Sequence, residues 1–151
     1  IEDNGIGEGD LLIVVNAYGI NSATIDACLT AQSRGAKVIG VSSHAHANSC
    51  PKDHPARHPS KKNLHEIADC SVDCKIKLGD ATIELPGFEQ KIGALSTYAN
   101  AFVMNGIIIE AINILVNEGV NPPVWRSGNC PGGDEWNNRF IAKFRKSIRS
   151  L

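Results

Sequence analysis

The sequence predicts an α/β protein built on a parallel β-sheet, and three features of residues 9–43 predict this class. Residues 11–15 (Leu-Leu-Ile-Val-Val) form a short apolar run behind Gly9-Asp10, which is typical of a strand buried on both faces. Ile25, Cys28 and Leu29 then recur at helical spacing, and a second apolar run covers residues 37–42. Because a crossover helix makes the strands that flank it parallel, we expect a βαβ unit.

The ends of the predicted crossover helix carry their own signals. Asn21 or Ser22 can cap the first turn, and Gly35 can end the helix in the left-handed conformation. In parallel sheets small polar ligands bind beyond the carboxyl ends of the strands. The turn of residues 16–22 and the loop after Ser42 are therefore the predicted ligand-binding segments.

Composition narrows the class of protein further. The 151 residues, with 42% apolar and 21% charged side chains, predict one domain over residues 1–151. A net charge of −1 and 5% aromatic residues argue against nucleic-acid binding.

The sequence predicts no membrane span, because the longest apolar stretch is interrupted by Asn105, Glu110 and Asn113. The N-terminal residues do not resemble a signal peptide. Five cysteines, an odd number, favour reduced thiols in a cytoplasmic protein.

A long loop, residues 43–60, follows the second predicted strand, and loops of this length are usually functional. Pro51, Pro55 and Pro59 forbid a helix that would bring its metal-ligand side chains to one face, so no metal site is predicted. Those side chains are His44, His46, Cys50, His54 and His58. After this loop, Ser60 is the predicted cap of a short helix with Leu64, Ile67 and Ala68 facing inward.

The middle of the chain predicts more extended structure. Residues 70–74 read as a third strand in which Cys70 and Cys74 are small buried residues rather than a redox pair. Gly79-Asp80 indicates a turn, and residues 81–85 form another extended piece that ends at Pro86-Gly87.

The longest predicted helix opens with residues 88–97 and ends at Gly119. Its apolar residues cover more than one face, so we expect it to be deeply packed or to lie in a subunit interface. Ser96 and Thr97 stand in its opening turn, where free N–H groups and hydroxyls can bind an anion or can simply cap the helix. Beyond it, a short strand at 122–125 and a final helix at 135–149, capped by Asp134, are predicted.

Six stretches of the chain resemble the sugar isomerase (SIS) domain family, in particular its bacterial phosphosugar-binding branch related to phosphoheptose isomerase. They are residues 9–15 with the Gly19 turn, 57–62 (Arg-His-Pro-Ser-Lys-Lys), 84–87 (Glu-Leu-Pro-Gly), 90–97, 122–125 and 131–137. The resemblance implies a Rossmann-type three-layer αβα sandwich with a five-stranded parallel sheet. This chain would be its later portion, without the leading helices and the first strand with its phosphate loop.

The resemblance also implies a binding site for a sugar phosphate or another anionic sugar. The family's second phosphate loop, Ser-x-Ser-Gly-x-Thr, falls on residues 16–21, where only the glycine matches, and its sugar-contacting Ser-Thr pair falls on Ser96 and Thr97. Two amides and a phenol in that loop can still donate hydrogen bonds. The predicted substrate-binding residues are Asn16, Tyr18, Gly19, Asn21, Ser43, Ser96 and Thr97.

The implied activity is aldose–ketose isomerisation through an enediol, without a cofactor, in a homo-oligomer (dimer or tetramer). This reaction needs a base, an acid for ring opening and donors for the oxyanion. Glu89 is the first candidate base and Glu84 the second, while His58 or His44 could be the acid. The alternatives are a non-catalytic sugar-phosphate sensor or binding subunit, and a structural or metal-binding protein that uses the loop histidines and cysteines.

Overall fold

The computed structural model of this chain describes residues 1–148. Contacts divide the chain into one compact unit, residues 1–106, and a second that begins at Ile107. The first unit carries the parallel sheet, its helices and a β-hairpin, and the second carries the C-terminal helix. The longest helix contributes residues to both units.

The predicted parallel sheet is present. It consists of β1 (Leu11–Val15), β2 (Lys37–Ser42) and β3 (Cys70–Asp73) in the order β1-β2-β3. Both neighbouring pairs are parallel, with Leu11 opposite Lys37 and Ile39 opposite Cys70. The α/β class with a parallel sheet is confirmed. Within residues 1–148 this sheet has three strands, where the resemblance implies five.

Helix α1 (Ser22–Ser33) has the ends that its sequence predicts. The Asn21 side chain accepts a hydrogen bond from Thr24 N at 3.0 Å, so Asn21 is the N-cap. Gly35 follows the helix with φ of +88°, a left-handed conformation that glycine adopts without steric cost. Helix α1 therefore connects β1 to β2, and β2 lies beside β1 in the sheet.

The hydrophobic core lies on one face of the sheet. Ile25 and Cys28 from α1 meet Val38 from β2 and Leu64 from α3 (Leu64–Ile67), and all four side chains are fully buried. Ile67 and Ala68 pack against this core, as predicted. Leu11 and Val15 of β1 remain exposed, because side chains alternate between the faces and none of the described residues covers these two. The prediction that β1 is buried on both faces is therefore wrong for the described chain.

The segment after β2 is more ordered than a loop. Ser43 caps a short helix, α2 (His44–Ser49), by accepting a hydrogen bond from His46 N. The cap predicted for α3 is also different: Asn63 stands where Ser60 was expected. The reason is a capping box, in which Glu66 accepts from Asn63 N at 2.6 Å and both residues satisfy backbone donors of the helix start.

A buried arginine holds this segment together. Arg57 is only 7% exposed and donates to four acceptors at 2.7–2.8 Å: the carbonyl oxygens of Ala47, Cys50 and Pro51 and the side-chain oxygen of Asn63. All four are neutral groups within ten residues of Arg57 in sequence. The guanidinium thus supplies the hydrogen bonds that a segment rich in proline cannot make along its own backbone.

Residues 81–94 form an antiparallel hairpin, β4 (Ala81–Leu85) and β5 (Phe88–Ala94). The prediction that residues 88–95 open the long helix is wrong, and the turn explains the error. Gly87 has φ of +78° directly after Pro86, so the chain reverses and its backbone pairs with β4. An exposed ion pair between Lys91 and Glu84 joins the two strands.

Helix α4 (Ser96–Asn117) ends before Gly119, as predicted, and Gly119 has φ of +78°. No residue of α4 is buried by the described chain, and the Tyr98 and Phe102 side chains are 74% and 81% exposed. Deep packing is thus wrong for the described chain, while the interface alternative stays a prediction. By length and hydropathy α4 could also cross a membrane, a property that apolar helices of soluble proteins share.

The second unit departs from prediction at two places. No strand forms at 122–125, because Pro122 and Pro123 have no N–H group to donate to a neighbouring strand. Helix α5 (Gly133–Phe144) has Gly132 as its N-cap, two positions before the predicted cap Asp134, and ends at Phe144. The predicted C-terminal end of this helix, at residue 149, lies outside the described residues.

All five cysteines have free thiols. Cys28 and Cys74 are buried, and burial raises the pKa of both thiols, which makes them less reactive at neutral pH. Cys70 is exposed, so the prediction of a buried Cys70–Cys74 pair is wrong for Cys70.

The acid stability of the fold should depend on Asp69, which joins β2 to the residues before β3. Hydrogen bonds from Lys37 Nζ (2.8 Å), Gln32 Nε2 (3.1 Å) and Val38 N (3.0 Å), that of Lys37 above all, lower the pKa of this carboxyl. In the unfolded chain its pKa is about 3.9. The contribution of Asp69 to stability is therefore complete above about pH 4 and is lost as the pH falls toward the folded-state pKa.

We expect Asp69→Asn to lower the melting temperature at pH 7 and to make its decline below about pH 4 shallower. Thermal unfolding followed by circular dichroism between pH 7 and pH 2.5 measures both effects. Asp53→Asn is the control, because the Asp53 carboxylate makes no hydrogen bond within residues 1–148. Equal acid slopes in wild type and Asp69→Asn would contradict the prediction.

Candidate functional site

A cavity of about 300 Å³ lies in the first unit, where β1 ends and α4 begins. This volume suits a small ligand rather than a macromolecule. Its wall combines the turn after β1, the residue before β4 and the first turns of α4. The lining residues are Val15, Asn16, Ala17, Tyr18, Asp80, Ser96, Thr97 and Asn100.

The turn after β1 is shaped by Asn16. Its side-chain oxygen accepts hydrogen bonds from Tyr18 N at 3.1 Å and from Gly19 N at 2.8 Å, an arrangement in which asparagine mimics a backbone turn. The Tyr18 side chain is 37% exposed and its ring stacks on His46, with the ring centroids 3.9 Å apart. The turn therefore presents the Tyr18 phenol at the cavity wall.

The Asp80 side chain binds backbone N–H groups at the start of α4. Its Oδ1 accepts hydrogen bonds from Leu95 N at 3.0 Å and from Ser96 N at 2.7 Å. Its φ is +62°, a left-handed conformation that aspartate tolerates better than most residues. The sequence predicts free N–H groups at this helix start for an anion, but the structure has a carboxylate of the chain bound to the first two of them.

Two lining side chains keep hydroxyl groups available to a ligand. Ser96 and Thr97 make no side-chain hydrogen bond within residues 1–148. The structure thus brings together four residues predicted to bind substrate, namely Asn16, Tyr18, Ser96 and Thr97.

Sequence reasoning missed Asp80 and Asn100 as lining residues. Asn100 Oδ1 is buried and has no hydrogen-bond partner among the described residues. One sequence signal could have found Asn100, because it follows Thr97 by three positions and so shares its face of the helix. No such signal exists for Asp80, which reaches the cavity only because the hairpin returns the chain to it.

His46 was also missed as a neighbour of the site. Burial lowers its pKa, and the Asp80 carboxylate acts in the opposite direction, so the imidazole is mostly neutral at pH 7. Its Nδ1 is buried without a hydrogen-bond partner among the described residues. His46 lies here because residues 44–49 form helix α2, whereas the prolines of residues 43–60 led to the prediction of a loop.

Three predicted binding residues serve the fold around the cavity instead of lining it. Asn21 caps α1 through its side-chain oxygen. Ser43 is fully buried and donates its hydroxyl to Ile76 O at 2.6 Å. Gly19 contributes backbone only, and its carbonyl oxygen accepts from Leu64 N at 2.7 Å.

The four predicted catalytic candidates, Glu84, Glu89, His58 and His44, lie outside the cavity lining. Glu84 pairs with Lys91 on the exposed hairpin, and the hydrogen bond and charge of Lys91 lower the pKa of Glu84. Glu89 is exposed on β5 rather than in a loop that could fold over the site. His58 Nε2 lies 3.1 Å from Asp26 Oδ1, and its Nδ1 lies 2.8 Å from Ser60 Oγ.

The remaining histidines do not form a metal centre with their neighbours. His44 stacks on His65, with ring centroids 4.4 Å apart, and burial together with the neighbouring His44 lowers the pKa of His65. Within residues 1–148 no three side chains of histidine, cysteine, aspartate or glutamate converge as metal ligands.

Comparison with known proteins agrees with the resemblance. A family model described as "SIS domain" matches residues 1–43, which contain β1, the cavity turn, α1 and β2. Proteins named "UPF0309 protein" are similar over nearly the whole chain. That of Streptomyces griseus subsp. griseus is 36% identical over 140 residues, 93% of this chain and 54% of that protein.

Two further UPF0309 proteins are similar over nearly the whole chain. The UPF0309 protein of Brucella anthropi is 35% identical over 96% of this chain and 57% of its own length, and that of Geobacillus thermodenitrificans is 32% identical over 100% and 59%. This chain therefore spans between half and three fifths of the curated relatives it matches. The resemblance to the SIS domain family is confirmed: residues 1–43 carry a SIS domain match, and almost the entire chain is homologous to part of the UPF0309 proteins.

Proposed function

We propose that the protein binds a phosphosugar and holds the sugar in the cavity between Tyr18 and Thr97. The observation that carries this proposal is the meeting of the turn after β1 with the first turn of α4 around one small cavity. The free hydroxyls of Ser96 and Thr97 and the Tyr18 phenol suit a ligand rich in hydroxyl groups. The SIS domain match supports a phosphosugar as ligand.

We further propose that the complete protein interconverts an aldose and a ketose. This reaction moves a proton between neighbouring carbons through an enediol and needs a base beside the substrate. Asp80 is the carboxylate that lines the cavity, so it replaces Glu89 and Glu84 as the first candidate base. His46, whose pKa is lowered, is the neighbouring candidate for the ring-opening proton transfer.

A non-catalytic sugar-phosphate sensor is the second candidate function. One observation favours it: Glu84, Glu89 and His58 all make contacts away from the cavity. In either function we propose a protein that assembles with copies of itself, because α4 leaves a long apolar surface uncovered by the described chain. We also propose a cytoplasmic location, which the free thiols of all five cysteines support.

Thr97→Val tests the proposed sugar site, since it removes one hydroxyl and keeps the shape of the side chain. We expect the affinity for fructose 6-phosphate to fall by about 3- to 10-fold, the value of one hydrogen bond. Isothermal titration calorimetry measures this change. Thr82→Val is the matched control, because Thr82 is exposed on β4 and does not line the cavity.

Activity separates the two candidate functions. Exchange of label between aldose and ketose phosphates, followed by NMR, should occur with the wild-type protein and be lost in Asp80→Asn. Binding without exchange would favour the sensor. Absence of binding by every sugar phosphate in a broad panel would overturn the proposed function.

A further inference from the structure

We propose that the cavity binds the uncharged, hydroxyl-bearing part of the sugar and excludes its phosphate group. This inference rests on the proposed function, because it describes how a sugar would lie in the same cavity. It concerns which chemical groups the described wall can accept.

The wall has a negative charge and no positive one. Asp80 is its one ionisable carboxylate, and no lysine, arginine or histidine belongs to the described lining. Phosphate sites in proteins gather cationic side chains or free backbone N–H groups. A phosphate in this cavity would face the Asp80 carboxylate at short range without a compensating cation.

The N-terminus of α4 supplies only part of that compensation. Its first donors, Leu95 N and Ser96 N, already bind Asp80 Oδ1. The negative charge of the Asp80 side chain also offsets the positive end of the helix dipole. Thr97 N and Tyr98 N have no acceptor within residues 1–148, but an anion bound to them would lie beside the Asp80 charge at the same helix start.

The acceptors of the wall fit hydroxyl groups instead. Asp80 Oδ2 makes no hydrogen bond within residues 1–148, and Asn100 Oδ1 is buried without a partner. A buried acceptor without a donor is costly, and a bound hydroxyl would satisfy it. Two adjacent hydroxyls of a sugar can donate to these oxygens and accept from the hydroxyls of Ser96 and Thr97.

The arrangement assigns a ligand class to the cavity: a neutral polyol or the carbon chain of a sugar, with any phosphate held outside the described wall. It follows that a sugar without its phosphate should still bind in the cavity. It also follows that inorganic phosphate should not compete for it.

The test compares fructose, fructose 6-phosphate and inorganic phosphate as probes of the full-length protein by NMR titration and calorimetry. We expect fructose to perturb the signals of Tyr18 and Thr97, and inorganic phosphate to leave them unchanged. Asp80→Asn should weaken fructose binding by at least about tenfold, because hydrogen bonds to charged groups are the stronger ones. The same variant should let inorganic phosphate begin to compete, since the repelling charge is gone.

Asparagine is also a good cap, so Asp80→Asn should keep α4 intact, which circular dichroism checks. Asp134→Asn is the matched control, an exposed aspartate in the first turn of α5. Asn100→Leu is a second variant that should weaken fructose binding without admitting phosphate.

The outcomes distinguish this inference from the proposed function. Displacement of fructose by inorganic phosphate in the wild type, or unchanged fructose affinity in Asp80→Asn, overturns the inference. Binding of fructose 6-phosphate alone, in competition with inorganic phosphate, overturns the inference and leaves the proposed function standing. Absence of binding by both sugars overturns both.

Discussion

Arg57→Ala should lower the free energy of unfolding by about 3–5 kcal/mol, the largest effect expected of a single substitution in this chain. The guanidinium donates to three carbonyl oxygens and to Asn63 Oδ1 while only 7% exposed. Alanine would leave these acceptors buried without donors and would open a cavity beneath residues 47–63. Urea unfolding followed by circular dichroism measures the loss.

Arg34→Ala is the control for this experiment, because Arg34 is an exposed arginine with one side-chain hydrogen bond, to Ile6 O. It should cost no more than about 1 kcal/mol. Arg57→Lys should recover only part of the stability, since an ammonium cannot reach acceptors spread around a planar fork. Equal losses from the Arg57 and Arg34 substitutions would contradict the assigned structural role.

Gly19→Ala should lower the free energy of unfolding by about 3 kcal/mol through two separate costs. Gly19 has φ of +63°, which disfavours any residue with a Cβ atom. An added Cβ would also lie 2.8 Å from Ser42 Cβ and 3.2 Å from Leu64 Cβ, so β2 and α3 would have to move apart. Thermal and urea unfolding measure the total.

Gly5→Ala separates the two costs. Gly5 has nearly the same φ, +66°, but its Cβ would meet nothing within 4 Å. We expect only the conformational cost there, about 1 kcal/mol. If both alanine variants were equally destabilised, the close approach of the cavity turn to β2 and α3 would have no energetic consequence. The comparison thus tests whether Gly19 is required for packing beneath the cavity.

The βαβ unit could be predicted from sequence because each of its signals is local. The β-branched run of β1, the Asn21 cap and the left-handed Gly35 act within a few residues of their positions. The hairpin could not, since residues 88–94 carry an apolar spacing that fits a helix as well as a strand. Only the reversal at Gly87 decides between them.

The candidate site was predictable only for the residues that local sequence signals identify. Asn16 and Tyr18 follow a strand, and Ser96 and Thr97 begin a helix, so their neighbours in sequence identify them. Asp80 reaches the cavity through the hairpin, and α2 places His46 beside Tyr18 at the cavity wall. Contacts distant in sequence set both positions. The carboxylate at the α4 start, which changes the expected ligand chemistry, is therefore visible only in three dimensions.

The hairpin also links the stability of an exposed element to the shape of the site. Asp80 immediately precedes β4 and Ser96 follows β5, so the two residues that form one wall stand at the base of the same pair of strands. Isolated two-stranded hairpins are only marginally stable in water, and every residue of β5 is exposed. Fraying of the strand pair would loosen the Asp80 cap and widen the cavity mouth, so ligand entry and the local unfolding of residues 81–94 become a single coupled equilibrium.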